Sequence, residues 1–343
     1  MNRKINHEYR VKLGIIGLGG GAGDMIPVFA SHGGYEIVAA SDIEPDQLER
    51  FNAEFESSTY VEAERLCTDS NVELVYIATP NQFHYEHIMM ALNHGKHVFV
   101  EKPLCRNLEE LSHIKKIWES YKGELKLRSN LVLRAAPLYR WLKEELESSG
   151  FGDVYAFDGE YLYGRLSKLT EGWRKEILDY SVMEGGGIHL VDLMVWLTGQ
   201  RPTQVYASGN RICTEGTEFQ YNDYMTTIMH FPSGLIGRIT ANFGCVHRHH
   251  HVMRIYGTDK TFFYDDSGPR IHVSRDIETE GVTRITLDPL TEDKGVLIGD
   301  FVEAIVRGEN TSKETQEMFD VVSICAASNE SEKFGSVQKI QYV

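Results

Sequence analysis

The sequence predicts an α/β protein with an N-terminal, doubly wound parallel sheet and a C-terminal α+β domain built on a large, mostly antiparallel sheet. Up to about residue 130, short apolar runs alternate with amphipathic helical segments, which is typical of parallel βαβ units. A glycine-rich turn follows the first run, and later runs alternate apolar and polar residues as half-exposed strands do. Because 343 residues exceed what one hydrophobic core usually serves, we expect two domains, 1–130 and 131–343.

The composition narrows the function classes. A share of 42% hydrophobic and 25% charged residues is ordinary for a globular protein, and the net charge of -15 without a long basic run argues against a nucleic-acid partner. The polar start and the absence of about eighteen consecutive apolar residues predict a cytoplasmic protein with no membrane partner. The cysteines form no C-x-x-C pair and indicate free thiols in a reducing compartment: Cys67, Cys105, Cys213, Cys245 and Cys325.

The first apolar run, "VKLGII", ends at the turn "GLGGGAGDM". Gly17, Gly19 and Ala22 match the pattern G-x-G-x-x-[G/A] of dinucleotide-binding folds. The first glycine permits a tight turn, the second lets a pyrophosphate approach the backbone, and the third position must be small for helix packing. The N–H groups of the following helix would then face the phosphates.

Asp42 ends the second apolar run, "EIVAASD", about twenty residues after the glycines, as this pattern requires. A carboxylate there accepts hydrogen bonds from ribose hydroxyls and repels a 2′-phosphate, so we expect NAD rather than NADP. The alternative is that Asp42 only caps the helix that follows.

Two polar triplets follow the next strand-like runs. Thr79-Pro80-Asn81 ends "VELVYIATP", and Glu101-Lys102-Pro103 ends "HVFVEKP". Ligands of doubly wound sheets bind beyond the carboxyl ends of the strands, so both triplets are expected on the cofactor side.

The second half contains alternating runs such as "DVYAFDGEYLYGR" and "LIGRITANFG", separated by turn signals such as "FPSG" and "DDSGP". They predict an antiparallel sheet with one open face. An open sheet face favours a partner, so we expect a homodimer or homotetramer.

Four segments resemble the glucose–fructose oxidoreductase / inositol dehydrogenase (Gfo/Idh/MocA) family: "GIIGLGGGAG", "IATPNQFHYEHIMMALNHGKHVFVEKPL", "NLVLRAAPLYRWLK" and "GGGIHLVDLMVWLTG". They occur in the family's order and at its spacings. The resemblance implies a Rossmann domain, a substrate-binding and oligomerisation domain, and oxidation of a secondary alcohol of a sugar, polyol or nucleotide sugar with NAD(P).

The resemblance also implies roles in the first domain. Lys102 would reach the nicotinamide ribose and the substrate hydroxyl, Glu101 would help to hold it, and the Lys102–Pro103 peptide bond would be cis. Asn81 and His84 would line the cofactor, although a histidine that opens a helix often only forms local hydrogen bonds.

In the second domain the resemblance makes His189 the general acid/base, a task suited to an imidazole whose pKa lies near neutrality. Asp192 lies three residues later on the same helical face, where it would either orient His189 and contact the substrate or pair locally. The chain departs from the family at Gly185, where many relatives carry an aspartate. Glu184, Asp179 or Tyr180 would be the substitutes, although none is in register.

Arg134, Trp173 and Arg174 are further candidates for contacts to a sugar or a phosphate, because arginine binds oxyanions through two hydrogen bonds. Each arginine would equally suit a carboxylate partner within the protein. The tract "HRHHH" would place His247, His249 and His251 on one side of a strand. We expect no bound metal there, because an unpatterned histidine tract is only a compositional signal.

The hypothesis is therefore an NAD-dependent dehydrogenase of a sugar or nucleotide sugar that uses Lys102 and His189. The alternatives on the same scaffold are a polyol or inositol dehydrogenase, a keto-sugar reductase, and an enzyme that retains NAD through a cycle of oxidation and reduction. A non-enzymatic regulator that senses dinucleotide is the alternative of another class.

Overall fold

The structure is a computed structural model that describes residues 10–31, 33–276, 278–279, 281–292 and 294–343. It divides into two compact units. The first comprises Met1–Val132, Thr291–Phe319 and Val343, and the second comprises Leu133–Leu290 and Asp320–Tyr342. The assignment of cofactor binding to 1–130 and of substrate binding to 131–343 stays a prediction.

The first unit is built on a six-stranded parallel sheet with the order β3-β2-β1-β4-β5-β6. This is the strand order of a dinucleotide-binding fold, in which the order reverses between β1 and β4. The central strands are almost fully buried, in keeping with their continuous apolar runs. The strands are β1 Val11–Ile16, β2 Tyr35–Ser41, β3 Ser58–Tyr60, β4 Leu74–Ile77, β5 His97–Val100 and β6 Leu127–Ser129.

Helices of the first unit follow the strands, as the alternation in the sequence predicts. Asn107 caps one of them by accepting a hydrogen bond from the Glu110 N–H, and Pro45 begins another at a position where no N–H partner is needed. The helices are α1 Gly20–Ser31, α2 Pro45–Glu54, α3 Ala63–Thr68, α4 His84–Asn93, α5 Leu108–Ser120 and, after the second unit's strands, α9 Val296–Arg307.

The second unit is built on a nine-stranded sheet with the order β14-β13-β12-β11-β7-β10-β9-β8-β15. Among the described strands of this second sheet, only β7 and β10 pair in parallel, and the remaining pairs are antiparallel. The predicted fold class is confirmed. The strands are β7 Val154–Leu162, β8 Gln204–Asn210, β9 Tyr224–His230, β10 Ile236–Asn242, β11 His250–Gly257, β12 Thr261–Asp265, β13 Gly268–His272, β14 Val282–Arg284 and β15 Gln338–Lys339.

The helix that carries His189 lies against this sheet. A Cβ atom on Gly159 of β7 would come within 2.9 Å of Ile239 Cδ1 and 3.3 Å of Leu190 side-chain atoms, so the glycine allows close packing of this helix on the strand. A π-helical turn, Met183–Gly187, runs directly into that helix. The helices of this unit are α6 Pro137–Glu147, α7 Ser167–Thr170 and α8 Ile188–Thr198, and α10 Ser312–Phe334 continues from the first unit into the second.

Within the described ranges, none of the helices combines the length and the apolar character that a bilayer span requires.

Candidate active site

The glycine turn after β1 lies next to the end of β4. Gly17 has φ +88°, and a Cβ atom there would come within 2.9 Å of Thr79 Cγ2 and 3.0 Å of the Ala78 carbonyl carbon. Only glycine therefore fits this position. A Cβ atom on Gly19 would meet nothing within 4 Å, and Ala22 is fully buried beneath the turn. The three positions of the predicted pattern thus provide a tight turn, an open backbone and a small packing residue.

Asp42 joins the end of β2 to this turn. Its Oδ2 accepts a hydrogen bond from the Leu18 N–H at 2.7 Å, and its Oδ1 accepts one from the Glu44 N–H at 2.9 Å. The alternative prediction made Asp42 the cap of α2, but the N-cap of that helix is Glu44. The carboxylate instead orders the glycine turn.

These residues fit a bound dinucleotide. The turn lies at the point where the strand order reverses, the exposed Gly19 and Gly20 leave room beside the first N–H groups of α1, and the Asp42 carboxylate stands at the end of the neighbouring strand. Gly17, Gly19, Ala22 and Asp42 are the residues that would hold it.

Glu101 follows β5 and is held by two hydrogen bonds to one of its oxygens. The hydroxyl of Tyr76 on β4 donates to Glu101 Oε1 at 2.9 Å, and the side-chain amide of Asn130 donates to the same atom at 2.9 Å. Burial, and next the charge of Glu101, raise the pKa of Tyr76, so the phenol stays protonated and remains a donor. The Lys102–Pro103 peptide bond is cis, as the resemblance predicts.

His84 is fully buried at the start of α4 and contacts two backbone carbonyl oxygens. Its Nδ1 lies 2.6 Å from the Pro103 oxygen and its Nε2 lies 2.8 Å from the Thr79 oxygen. The contact to Thr79 is local, as the alternative prediction had it, whereas the contact to Pro103 joins residues that are far apart in the sequence. The predicted place of His84 at the cofactor stays a prediction. Thr79 also contacts His87 Nδ1 through its hydroxyl at 3.0 Å, while Asn81, predicted to line the cofactor, begins a short 3-10 helix, Asn81–Phe83, directly after Pro80.

In the second unit, the three glycines before His189 are required by close packing. A Cβ atom on Gly185 would overlap the hydroxyl of Tyr180, one on Gly186 would overlap the ring of Tyr161, and one on Gly187 would overlap the sulfur of Met183. Of the three residues that were expected to substitute for an aspartate at 185, Tyr180 therefore occupies the space that a side chain there would need.

The other two expected substitutes, Glu184 and Asp179, are carboxylates, and neither is among the atoms that a side chain at residue 185 would meet. Glu184 is buried and its Oε1 accepts a hydrogen bond from the Asn329 side-chain amide at 2.6 Å. Asp179 is exposed and has φ +55°, in the left-handed region.

His189 is half-buried and lies in a cluster of aromatic rings that we call the His189 cluster: Tyr161, Tyr163, His189, His249 and His251. The Tyr161 ring stacks on His189 with centroids 6.1 Å apart and on Tyr163 with centroids 5.6 Å apart. His251 lies 6.3 Å from His189 and 4.9 Å from His249. Burial lowers the pKa of His251 to about 3, so its ring is neutral at physiological pH.

Arg134 and Asp192 form a buried ion pair. Arg134 Nε lies 3.0 Å from both carboxylate oxygens of Asp192, and its Nη2 donates to Asp192 Oδ1 at 2.6 Å. The side chains are only 9% and 1% exposed. This burial and pairing favour a structural role for the pair, and the substrate contacts that were predicted for both residues stay a prediction.

The segment between β7 and the π-helical turn carries Trp173 and Arg174, whose guanidinium carbon lies 4.3 Å from the indole centroid. Burial raises the pKa of the Tyr180 hydroxyl to about 12, although the nearby Arg174 opposes the increase. Arg165, which the sequence analysis did not single out, lies 5.2 Å from the centroid of Tyr163.

The histidine tract differs from its prediction because β11 begins only at His250. Strand alternation therefore does not extend to His247, which contacts Asp266 Oδ2 at 3.0 Å, while His249 and His251 join the His189 cluster. No group of three or more His, Cys, Asp or Glu side chains in the described ranges is arranged to hold a metal ion.

Comparison with known proteins identifies the family. A family model described as "Oxidoreductase family, NAD-binding Rossmann fold" matches residues 11–127, and the GFO/IDH/MocA C-terminal domain matches residues 139–263. The chain belongs to the Gfo/Idh/MocA oxidoreductase family. The predicted resemblance is confirmed, and with it the dinucleotide-binding character of the first sheet.

Individual relatives match parts of the chain. A 1-carboxy-3-chloro-3,4-dihydroxycyclohexa-1,5-diene dehydrogenase of Comamonas testosteroni is 44% identical over 101 residues, which are 29% of this chain and 25% of that protein. A glycosyl hydrolase family 109 protein of Streptomyces coelicolor is 32% identical over 182 residues, 48% of this chain and 38% of that protein. The chain therefore spans well under two thirds of the length of these relatives.

A solved structure of scyllo-inositol dehydrogenase from Lactobacillus casei, with NAD(H) and scyllo-inositol, superimposes with a TM-score of 0.81 at 19% identity. The superposition covers 96% of this chain and 99% of that one. At this identity the likeness shows the fold.

Several contacts of these sites were missed by the sequence analysis. Tyr161 lies two residues before Tyr163 in "EYLYGR", and that spacing puts both rings on one face of a strand. The spacing was visible in the sequence. The approach of His249 and His251 to these rings had no local signal, because it depends on the pairing of β11 with β7.

Proposed function

We propose that this protein is an NAD-dependent dehydrogenase that oxidises a secondary hydroxyl of a sugar, nucleotide sugar or polyol. Family membership across residues 11–127 and 139–263 carries the proposal, because this chain retains both Lys102 at the end of β5 and His189, which is half-buried in an aromatic cluster. The scyllo-inositol dehydrogenase of similar fold supports a polyhydroxylated substrate.

The two side chains have complementary roles in the proposal. The His189 imidazole takes the proton of the substrate hydroxyl, and the Lys102 ammonium donates a hydrogen bond to the same oxygen as negative charge develops on it. NAD, when bound, supplies the hydride acceptor. The stacked Tyr161 ring limits the rotation of His189, while Glu101, Pro103 and the buried His84 hold the backbone on either side of Lys102.

The cofactor preference follows from Asp42. Its carboxylate is fixed by the Leu18 and Glu44 N–H groups, and each oxygen keeps a lone pair for a ribose hydroxyl. A 2′-phosphate would meet that negative charge, and the residue after Asp42 is Ile43, which offers no positive charge. We therefore propose NAD in preference to NADP.

The test is a screen for reduced cofactor by absorbance, with NAD and NADP in parallel, against polyols, free sugars and UDP- and GDP-sugars. The proposal expects NADH formation with at least one polyhydroxylated class and weaker turnover with NADP. Tight NAD binding without turnover on any class, in either direction, would favour the regulator and contradict the proposal.

A second candidate is supported by the similarity to the glycosyl hydrolase family 109 protein. In this candidate the enzyme retains NAD through a cycle of oxidation and reduction, so that no net NADH accumulates. Cofactor that copurifies and does not exchange, together with release of sugar from a glycoside, would favour this candidate. A polyol or inositol dehydrogenase and a keto-sugar reductase remain variants of the main proposal that the screen separates.

The homodimeric or homotetrameric state and the cytoplasmic location stay predictions. Gel filtration with light scattering tests the first, and fractionation of the source cells tests the second.

A further inference from the structure

The segment Arg165–Tyr180 brings two arginines to the His189 cluster. Arg165 lies over Tyr163, and Tyr163 stacks on Tyr161, which in turn stacks on His189. Arg174 lies beside the buried Tyr180 hydroxyl, and the positive charges of Arg174 and Arg165 both oppose the increase that burial produces in the pKa of Tyr161. Both guanidinium groups are therefore close to the same phenols.

Neither arginine forms an ion pair with a carboxylate of the described residues. Some other arginines of the same unit pair with carboxylates, as Arg238 does with Asp158 and Arg254 with Glu160. Others, Arg211, Arg275 and Arg284, donate to neutral oxygens instead. The neighbouring Lys175 is also neutralised, by Glu218 at 2.6 Å. In a chain with a net charge of -15, two guanidinium groups that have no carboxylate partner and lie near the phenols of the His189 cluster are available to an anionic ligand.

The Tyr180 hydroxyl adds a polar group to this position. It is buried, and the Arg174 guanidinium lies within hydrogen-bonding reach of it. Two guanidinium forks and a phenol are the donors that suit an oxyanion.

We propose that the substrate carries a carboxylate or phosphate group that Arg165 and Arg174 bind, at a position separate from the carbon oxidised next to His189. This inference rests on the proposed function and specifies its substrate class as an anionic polyol or sugar. The acidic surface repels anions in general, so this local positive charge selects among them and orients the substrate relative to His189.

The test compares binding and turnover of glucose, glucuronate and glucose 6-phosphate, with calorimetry for binding and NADH absorbance for turnover. The three compounds share the glucose ring. Glucose carries no acidic group, glucuronate carries a carboxylate and glucose 6-phosphate carries a phosphate. We expect at least one anion to bind about 10- to 100-fold more tightly than glucose. The free energy of a hydrogen bond to a charged group corresponds to a change in affinity of this size. The tighter of the two anions identifies the group.

The variants are Arg165→Gln and Arg174→Gln, with Arg284→Gln as the control, because Arg284 is exposed on β14 at the edge of the sheet. We expect the first two to abolish the preference for the anion and to raise its KM with little change in kcat, and the control to behave as the unmodified protein. Arg174→Lys should keep only part of the preference for the anion that Arg174→Gln loses, because lysine cannot form two parallel hydrogen bonds to one oxyanion.

Failure of both anions to bind more tightly than glucose, or a preference that survives in both glutamine variants, would overturn the inference. The outcome is separable from the proposed function. Turnover of neutral substrates without dependence on either arginine would leave the dehydrogenase standing, whereas arginine-dependent anion binding without turnover would leave the anion site standing and contradict the dehydrogenase.

Discussion

His84 lies with its Nδ1 atom 2.6 Å from the carbonyl oxygen of Pro103, directly beside the lysine that we propose to be catalytic. Its other nitrogen lies 2.8 Å from the Thr79 oxygen, so one buried ring connects the segments that follow β4 and β5. A neutral imidazole donates through one nitrogen only, and burial lowers the pKa of His84. The neutral ring therefore donates a hydrogen bond to one of these two carbonyl oxygens, and the tautomer determines which.

The first prediction concerns this ring. His84→Phe keeps much of its volume but removes the one N–H that the neutral ring donates to the Pro103 or Thr79 carbonyl oxygen. We expect a loss of about 1–3 kcal/mol in the free energy of unfolding, from the usual penalty for a buried unsatisfied group. Urea denaturation measures it, with the exposed His113→Phe as the control. A loss no larger than that of the control would contradict the connecting role.

The second prediction concerns Gly185 and Tyr180. Gly185→Ala places a methyl group against the Tyr180 hydroxyl, and we expect it to cost about 1–3 kcal/mol of stability through overpacking. In a Tyr180→Phe background the same change should cost clearly less, because the overlapping oxygen is gone. A double-mutant cycle in urea measures the difference.

Gly23→Ala is the matched control for this cycle. It lies in α1, where a Cβ atom meets nothing within 4 Å, so the helix should gain about 0.5–1 kcal/mol. Equal costs for Gly185→Ala in both backgrounds would show that Tyr180 does not occupy the space at residue 185.

The third prediction concerns the buried pair of Arg134 and Asp192. Asp192→Asn leaves the guanidinium buried without its counter-charge, and we expect a loss of about 3–5 kcal/mol. The double replacement Arg134→Met with Asp192→Leu should cost less than that single change. For comparison, Glu218→Gln breaks the exposed pair with Lys175 and should produce no measurable change. If Asp192→Asn retained full stability but lost substrate affinity, Asp192 would be a substrate contact after all.

The fourth prediction is a pH dependence from His97. Its Nδ1 accepts the Lys126 N–H at 3.0 Å, which requires a neutral ring, and burial followed by the charge of Lys126 lowers its pKa to about 4. Between pH 6.5 and 4 the unfolded chain binds a proton at this residue and the folded chain does not. The stabilisation is therefore complete above about pH 6.5 and is lost as the pH falls towards 4.

The size of this effect follows from the shift. We expect His97 to contribute about 1–2 kcal/mol to the loss of stability between pH 7 and pH 5. His97→Gln, which keeps an acceptor but does not titrate, should reduce the pH dependence by that amount in urea denaturation. His113→Gln is the control on the surface. An unchanged pH dependence in His97→Gln would show that the ring is not held neutral.

The sequence predicted what depends on local pattern. The glycine spacing placed a tight turn after β1, and the apolar runs placed Glu101 and Lys102 at the end of β5, because strand periodicity and glycine chemistry act over a few residues. The strand order itself follows from the short connections of alternating strands and helices.

The remaining features depend on packing between distant segments. Asp192 is paired with a residue 58 positions earlier, and its choice between orienting His189 and pairing with arginine had no local signal. The hydroxyl of Tyr180 occupies the space beside Gly185 although the two residues are only five positions apart, because the chain between them enters a π-helical turn that no sequence pattern indicated. The histidine tract was misassigned because the start of β11 is determined by its pairing with β7 and not by its own alternation.

The most direct test of the account is the turnover of Lys102→Ala and His189→Ala on the substrate that the screen identifies. Both variants should still bind NAD, because neither residue belongs to the glycine turn or to the Asp42 end of β2, and Lys102→Ala loses only its expected contact to the nicotinamide ribose. Their rate of NADH formation should fall by about 100- to 10,000-fold, as expected when a positioned acid or base is removed. Near-normal turnover in either variant, with NAD binding intact, would contradict the proposed pair.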